Sequence, residues 1–219
     1  MIAKNSHNNG RVAIGFTSLL TPNAYATLHN IVMSEIITPS YCAYCERADA
    51  HPLHVEYHNT EYGFPNQDES ILFERLVLEI NQAGLSWETI LKKREGFKQA
   101  FEGFEVDRVA SYGERDRERL LQDASIIRNR LKIDAAIHNA KQIQALRDSD
   151  GGFHNWLMSH HPKTKDEWVK IFKSQFRFVG GEIVNEFLMS LGILPGAHVE
   201  ACKIYKKIAK LNPPFLPKH

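Results

Sequence analysis

Apolar residues recur along this chain at helical rather than strand spacing. Leu72, Phe73, Leu76, Val77 and Ile80 form one stripe, and Ile133, Ile137, Ala140 and Ile143 another. Capping residues bound these stripes. Asp68 precedes the first, and Gly84 ends it. Ser86 opens a second helix to about Phe101, and the long stripe stops near Gly151-Gly152. Shorter helices are expected over 52–61, 114–121, 153–159, 166–172 and 182–191, with a last one over 198–210. Alternation of period two is absent, so the fold class is all-α, with one core over about 41–210 and a tail over 211–219. Residues 1–40 read as an N-terminal extension. They hold the apolar stretch Val12 to Leu20, a Thr21-Pro22 helix start running to about Glu35, and Pro39 as a breaker.

Composition adds limits. The 219 residues are 43% apolar, enough for one core. Net charge is +1, so a nucleic-acid partner has to be met by a local patch. No run approaches the roughly 18 apolar residues of a membrane span, and the polar N-terminus lacks a secretory pattern. Three cysteines are too few for a disulfide scaffold, which points to a reducing, cytoplasmic setting.

Three groups of residues carry chemistry. Cys42, Cys45, His51, His54 and His58 cluster after residue 41, and His198 and Cys202 stand four apart on the expected last helix. Thiolates and imidazoles are what tetrahedral zinc prefers, and such an ion would clip the first and last core elements together. Cys42 and Cys45 compete as the thiolate. Next, Glu79 sits at the edge of a buried stripe, with Trp87 opening the following helix and Tyr57 and Tyr62 flanking His58. A carboxylate among rings suits a flat, cationic heterocycle; Glu74 falls on the far, solvated side. Finally, Ile126-Ile127-Arg128-Asn129-Arg130 leads into the long helix, with Lys132 beyond. A helix N-terminus with added positive charge holds a phosphate without reading sequence; the plainer reading is a solvated basic turn. The C-terminal lysines Lys203, Lys206, Lys207 and Lys210 read as a solvated face.

Taken in order, these pieces resemble the DNA-3-methyladenine glycosylase I family. The matching stretches are 57–65 (Tyr-His-Asn-Thr-Glu-Tyr-Gly-Phe-Pro), Phe73-Glu74, and Glu79 with Gln82-Ala83-Gly84-Leu85-Ser86-Trp87. They continue with Leu91-Lys92-Lys93-Arg94, Ile126-Ile127-Arg128-Asn129 with Lys132-Ile133, 176–180 (Phe-Arg-Phe-Val-Gly), and His198 with Cys202. The resemblance implies a helix-hairpin-helix DNA glycosylase with one structural zinc per chain, held by Cys45, His58, His198 and Cys202. It implies Glu79 as the catalytic carboxylate and Tyr57 and Trp87 as pocket walls, with His54 and Tyr62 at the remaining pocket positions. Leu85, after Gly84, would enter the base stack, while Ile127, Arg128, Asn129, Arg130 and Lys132 would face the phosphates. The implied partner is duplex DNA carrying alkylated bases, with no membrane and no obligatory protein partner.

The chain departs from the family at several of these positions. The family usually has tyrosine at His54, tryptophan at Tyr62 and glycine at Ser125, and it lacks the carboxylates Glu182 and Glu186 that follow the Phe-Val-Gly motif here. Two rival readings follow: a damaged-DNA-binding protein of the same fold that does not cleave, and a zinc-stabilised helical interaction module.

Overall fold

The computed structural model describes residues 40–217, and every regular element among them is helical. The expectations for residues 1–39 lie outside the described residues. The helices are α1 (Tyr41–Cys45), α2 (Pro52–Thr60), α3 (Glu69–Gln82), α4 (Trp87–Ala100), α5 (Val106–Ala110), α6 (Glu114–Gln122) and α7 (Arg130–Asp150). They continue as α8 (Phe153–His160), α9 (Lys165–Gln175), α10 (Gly181–Ser190) and α11 (Lys203–Ala209). A single 3-10 turn (Glu102–Phe104) joins α4 to α5. Neither this turn nor α5 stood out in the sequence, because elements this short carry little periodicity.

Helix α3 is the centre of the bundle. Ten consecutive residues, Leu72 to Asn81, are buried. It packs against α4, α5, α7, α8 and α10, so it is covered on every side over that length. Such coverage explains the one failure of the amphipathic reading here: Glu74 is buried, not solvated. Arg94 of α4 donates to Glu74 at 2.7 Å and to both carboxylate oxygens of Glu61 at 2.5 and 2.8 Å. A buried carboxylate is tolerated when so paired.

The local caps follow the sequence. Asp68 accepts from the Ile71 N–H, Ser86 from Thr89 and Asn129 from Lys132, each meeting a donor the first helical turn leaves open. Gly151 ends α7 at φ +76, a left-handed cap suited to glycine. The last helix is shorter than expected. Residues 198–202 form turns, α11 begins at Lys203, and the Sγ of Cys202 caps it by accepting from Ile204 N–H at 3.4 Å. A second apolar cluster, with Cys42, Cys202, Ile204 and Ile208 as its buried members, joins α1 to this C-terminal segment. The tail folds back as well: Phe215 N–H donates to the Gly192 carbonyl, and its ring lies 6.1 Å from that of Tyr205.

Candidate active site and metal cluster

Helices α2, α3, α4 and α10 converge on one group of rings and carboxylates. Tyr57 projects from α2, and its ring centroid lies 5.1 Å from that of Trp87, the first residue of α4. Tyr62, just past the end of α2, lies 5.5 Å from Tyr57. Glu79 of α3 is 2% exposed and sits beside both phenols. Burial, reinforced by Glu79, holds the Tyr57 hydroxyl well above the ordinary phenol range, and burial with Glu186 does the same for Tyr62. Both rings therefore stay neutral. The structure thus brings together Tyr57, Tyr62, Glu79 and Trp87. His54 belongs to a neighbouring group instead: its Nδ1 lies 2.9 Å from the Tyr41 hydroxyl, and its ring meets those of Tyr41 and Tyr44 edge-on.

The connection after Glu79 is an exposed tip. Ala83, Gly84, Leu85 and Ser86 are all exposed, Leu85 by 42%. Gly84 takes φ +83, a left-handed turn that glycine adopts without strain. An apolar side chain held out on a tight turn beside a buried carboxylate is available to a partner. The turn 126–130 lies against the same region. Ile126 is buried and Ile127 half-buried, while Arg128, Asn129 and Arg130 are exposed. Arg130 pairs with Glu114 at 2.9 Å.

Lys132 does not share that exposure. Its ammonium is buried and donates to the carbonyls of Asn81 at 3.0 Å and Ala83 at 2.8 Å. It is a clamp between the start of α7 and the open end of α3, not a phosphate-facing charge. Burial holds its ammonium below the ordinary lysine range. Only its position at the third residue of α7, facing the bundle, decides this, and no residue pattern names its partners. Glu182 and Glu186 separate similarly. Glu182 is exposed and pairs with Lys165 at 2.8 Å, whereas Glu186 accepts from the Tyr62 hydroxyl at 3.0 Å.

The second site lies behind Tyr62. Ligand atoms of Cys42, His58, His198 and Cys202 all lie within 4.8 Å of one another, and all four residues are buried. His198 Nε2 sits 2.7 Å from the Tyr62 carbonyl, so it carries the proton and donates. His58 Nδ1 likewise donates to the Asn59 side-chain oxygen at 2.8 Å. The two remaining ring nitrogens face each other at 3.1 Å. Burial pushes His198 down to about 4. Two lone pairs turned toward each other, flanked by sulfurs at 3.5 to 3.8 Å, are what a cation requires. Zinc bond lengths in a tetrahedron give about 3.3 Å between nitrogens and about 3.6 Å from nitrogen to sulfur. The donor set is therefore compatible with a metal ion.

The structure corrects the thiolate assignment. Cys42, not Cys45, joins this cluster. The two are three residues apart on α1, and that turn aims Cys42 at the C-terminal segment. The Sγ of Cys45 is aimed at α2, where it meets the His54 carbonyl at 3.7 Å. Burial pushes both thiols up, Cys42 to about 11 and Cys45 to about 12. His198 and Cys202 also meet for a different reason than expected. A turn with Cys202 N–H on the Val199 carbonyl, and not a helical face, brings them together.

A family model described as methyladenine glycosylase matches residues 47–172. The chain belongs to this family. It is 37% identical over 180 residues to DNA-3-methyladenine glycosylase 1 of Escherichia coli (strain K12), across 74% of this chain and 96% of that protein. It is 32% identical over 177 residues to the DNA-3-methyladenine glycosylase of Haemophilus influenzae, across 72% and 95%. Its fold is similar to the solved 3-methyladenine DNA glycosylase I from Staphylococcus aureus, with a TM-score of 0.69 and 29% identity over 82% of this chain and all of that one. Within the methyladenine glycosylase family, the clustered Tyr57, Glu79 and Trp87 occupy the matched segment, while the three metal-cluster residues other than His58 lie outside it.

Proposed function

We propose that this chain is a DNA-3-methyladenine glycosylase, which hydrolyses the bond between an alkylated purine and its deoxyribose in duplex DNA and leaves an abasic site. The observation that carries the reading is Glu79, buried beside the Tyr57 and Tyr62 phenols, with Trp87 packed on Tyr57 and an exposed Leu85 on the turn that follows. A purine alkylated at N3 is cationic and leaves as a neutral molecule, so its departure needs no strong general acid. What it needs is extrusion from the stack and a site that favours its charge. Leu85 would fill the gap in the stack. The extruded base would stack on the Trp87 and Tyr57 rings, and Glu79 would accept its N–H groups and favour the positive charge developing on the sugar as the bond breaks. Arg128 and the N–H groups opening α7 would hold the phosphate backbone. Residues 41–210 serve as the glycosylase domain, with 1–40 as an extension and 211–219 as a tail.

Zinc is the ion this reading places among Cys42, His58, His198 and Cys202. With four protein ligands and no open position, it would be structural, holding α1 and α2 to the C-terminal segment. The reaction is that of a hydrolase without lyase activity. No lysine lies within the Glu79–Trp87 segment itself, and Lys132 beside it has its amine engaged by two carbonyls. Chromatography of bases released from methylated DNA tests the function: purified protein should release free 3-methyladenine, and Glu79→Gln should abolish most of it. Zinc-replete, folded protein that binds methylated duplex but releases nothing would instead establish the non-cleaving rival.

A further inference from the structure

The Phe-Arg-Phe-Val-Gly stretch over 176–180 takes no part in either site, yet its geometry is unusual. Phe176 and Val179 are buried, while Arg177 and Phe178 between them are exposed. Phe178 is 43% exposed and stands at φ +61, a left-handed backbone that a bulky residue seldom adopts. The turn is nevertheless held from the core. Asn139 of α7 is fully buried, and its side-chain amide accepts from the Arg177 N–H at 2.8 Å and donates to the Arg177 carbonyl at 3.1 Å. A core side chain thus fixes a strained turn that keeps a phenylalanine in water. Strain and exposure both cost stability, so the reason for them lies outside the fold.

Asn139 stands seven residues after Lys132, on the same buried stripe of α7. Lys132 holds the carbonyls of Asn81 and Ala83 at the base of the Leu85 turn. Two exposed apolar side chains, Leu85 and Phe178, are therefore carried on turns pinned to one stripe of one helix, with anchors about 10 Å apart. That separation matches about three base-pair steps of duplex. Charge accompanies the second turn. His138 has Arg177 and Lys141 as its charged neighbours, and both are exposed. Arg108, Arg117, Arg130 and Arg147 pair with carboxylates. Arg177 and Lys141 have no such partner among the described residues. A ring held out beside uncompensated cations suits a base and its phosphate.

Resting on the DNA partner proposed above, we propose that the Arg177–Phe178 turn is a second DNA-contacting tip. Phe178 stacks on a base beside the lesion, and Arg177 and Lys141 pair with the flanking phosphates. Asn139 is the positioning residue that holds the tip out.

The test uses the full zinc-loaded chain and two duplexes of one sequence, intact or carrying a tetrahydrofuran abasic analogue. Binding is followed by fluorescence anisotropy over a range of salt. Phe178→Ala should weaken the abasic duplex about tenfold, the loss expected for one base–ring stack. The intact duplex, whose bases stay stacked, should change by less than about twofold, and the salt slope should hold. Arg177→Gln should weaken both duplexes and lower the salt slope by about one. Phe178→Gly, whose backbone suits φ +61, should repeat the alanine result and guards against a folding defect. Full-strength binding of the abasic duplex without the ring, or an unchanged salt slope in Arg177→Gln, would overturn the proposal and leave the turn to a protein partner. Base release from methylated DNA is measured alongside. These losses in a chain that releases no base would strike the glycosylase reading alone. Release together with undiminished binding by Phe178→Ala would strike this proposal alone.

Discussion

Lys132→Met removes a buried ammonium and keeps a side chain of similar length, so its effect can be worked from two hydrogen bonds. The bonds run to the carbonyls of Asn81 and Ala83, at 3.0 and 2.8 Å. Hydrogen bonds to a charged group contribute about 1.5–3 kcal/mol each, and a cation at a helix C-terminus adds about 0.3–1 kcal/mol. Two terms offset this. Methionine carries no desolvation cost, which the depressed lysine pKa shows to be present here. The exposed Ala83 segment can also give its carbonyl to water, whereas Asn81 is buried. The net loss is about 2–4 kcal/mol, close to the cost of stranding one buried carbonyl and losing one charged bond. Urea unfolding should show that loss as a lower midpoint at unchanged slope. Because the same bonds fix the base of the Leu85 tip, single-turnover release of 3-methyladenine should also fall, by about tenfold, with zinc content unaltered. A variant within about 0.5 kcal/mol of the unaltered chain, the usual scatter for a surface change, would show that Lys132 is no clamp.

Three further outcomes follow from other residues. Cys42→Ala should lower bound zinc well below one ion per chain, and Cys45→Ala should leave it near one; the reverse pattern by metal analysis would return Cys45 to the ligand set. A Cβ at Gly96 would stand 2.7 Å from both Cβ and O of Ser125. Gly96→Ala should therefore destabilise by about 1–2 kcal/mol net of its helix gain, with Ser125→Gly restoring part of the loss. A stabilised Gly96→Ala protein in thermal unfolding would refute that contact. Asp123 accepts from the N–H and hydroxyl of Ser125 at 2.8 and 2.6 Å, which holds its carboxyl below the ordinary 3.8. A depressed carboxyl stabilises the fold above 3.8 and stops doing so as pH falls through the folded value. The stability gap between the unaltered chain and Asp123→Ala should hence narrow below pH 3.8, and a gap of equal size at pH 3 and 7 would exclude the effect.

Helix order and caps were readable because each depends on neighbours in sequence. Asp68 and Ser86 cap the helices they precede, and Gly151 ends the long one, whereas Asn129, read as facing a phosphate, is found to cap α7. Tyr57, Tyr62, Glu79 and Trp87 were readable as an ordered set of segments resembling a family, although their convergence depends on packing among α2, α3 and α4. What sequence spacing missed was the direction of individual side chains. Cys42 and Cys45 are one helical turn apart, and only the placement of the C-terminal segment separates them. Lys132 reads as one more cation in a basic turn until α3 is seen to end beside it. Glu74 looks solvated if α3 has a free face, and here it has none. The Ser125 departure has a physical counterpart that no pattern announces: Gly96 is bare where Ser125 needs room.

The two sites meet at one residue. Tyr62 gives its carbonyl to His198 of the metal cluster at 2.7 Å and its hydroxyl to Glu186 at 3.0 Å, while its ring contacts Tyr57. The backbone bond sets which nitrogen of His198 carries the proton, and so which one is turned toward the other ligands. The traffic runs the other way too. An ion held by His198 fixes that imidazole, the imidazole fixes the Tyr62 carbonyl, and the carbonyl fixes where the phenol stands relative to Glu79 and Glu186. A closed metal site usually stabilises a fold without touching its chemistry. Here a single residue joins the two, so an ion bound among these ligands would, on its removal, loosen the backbone at Tyr62 before it unfolded the bundle around α3, whose core is built without any residue of the cluster.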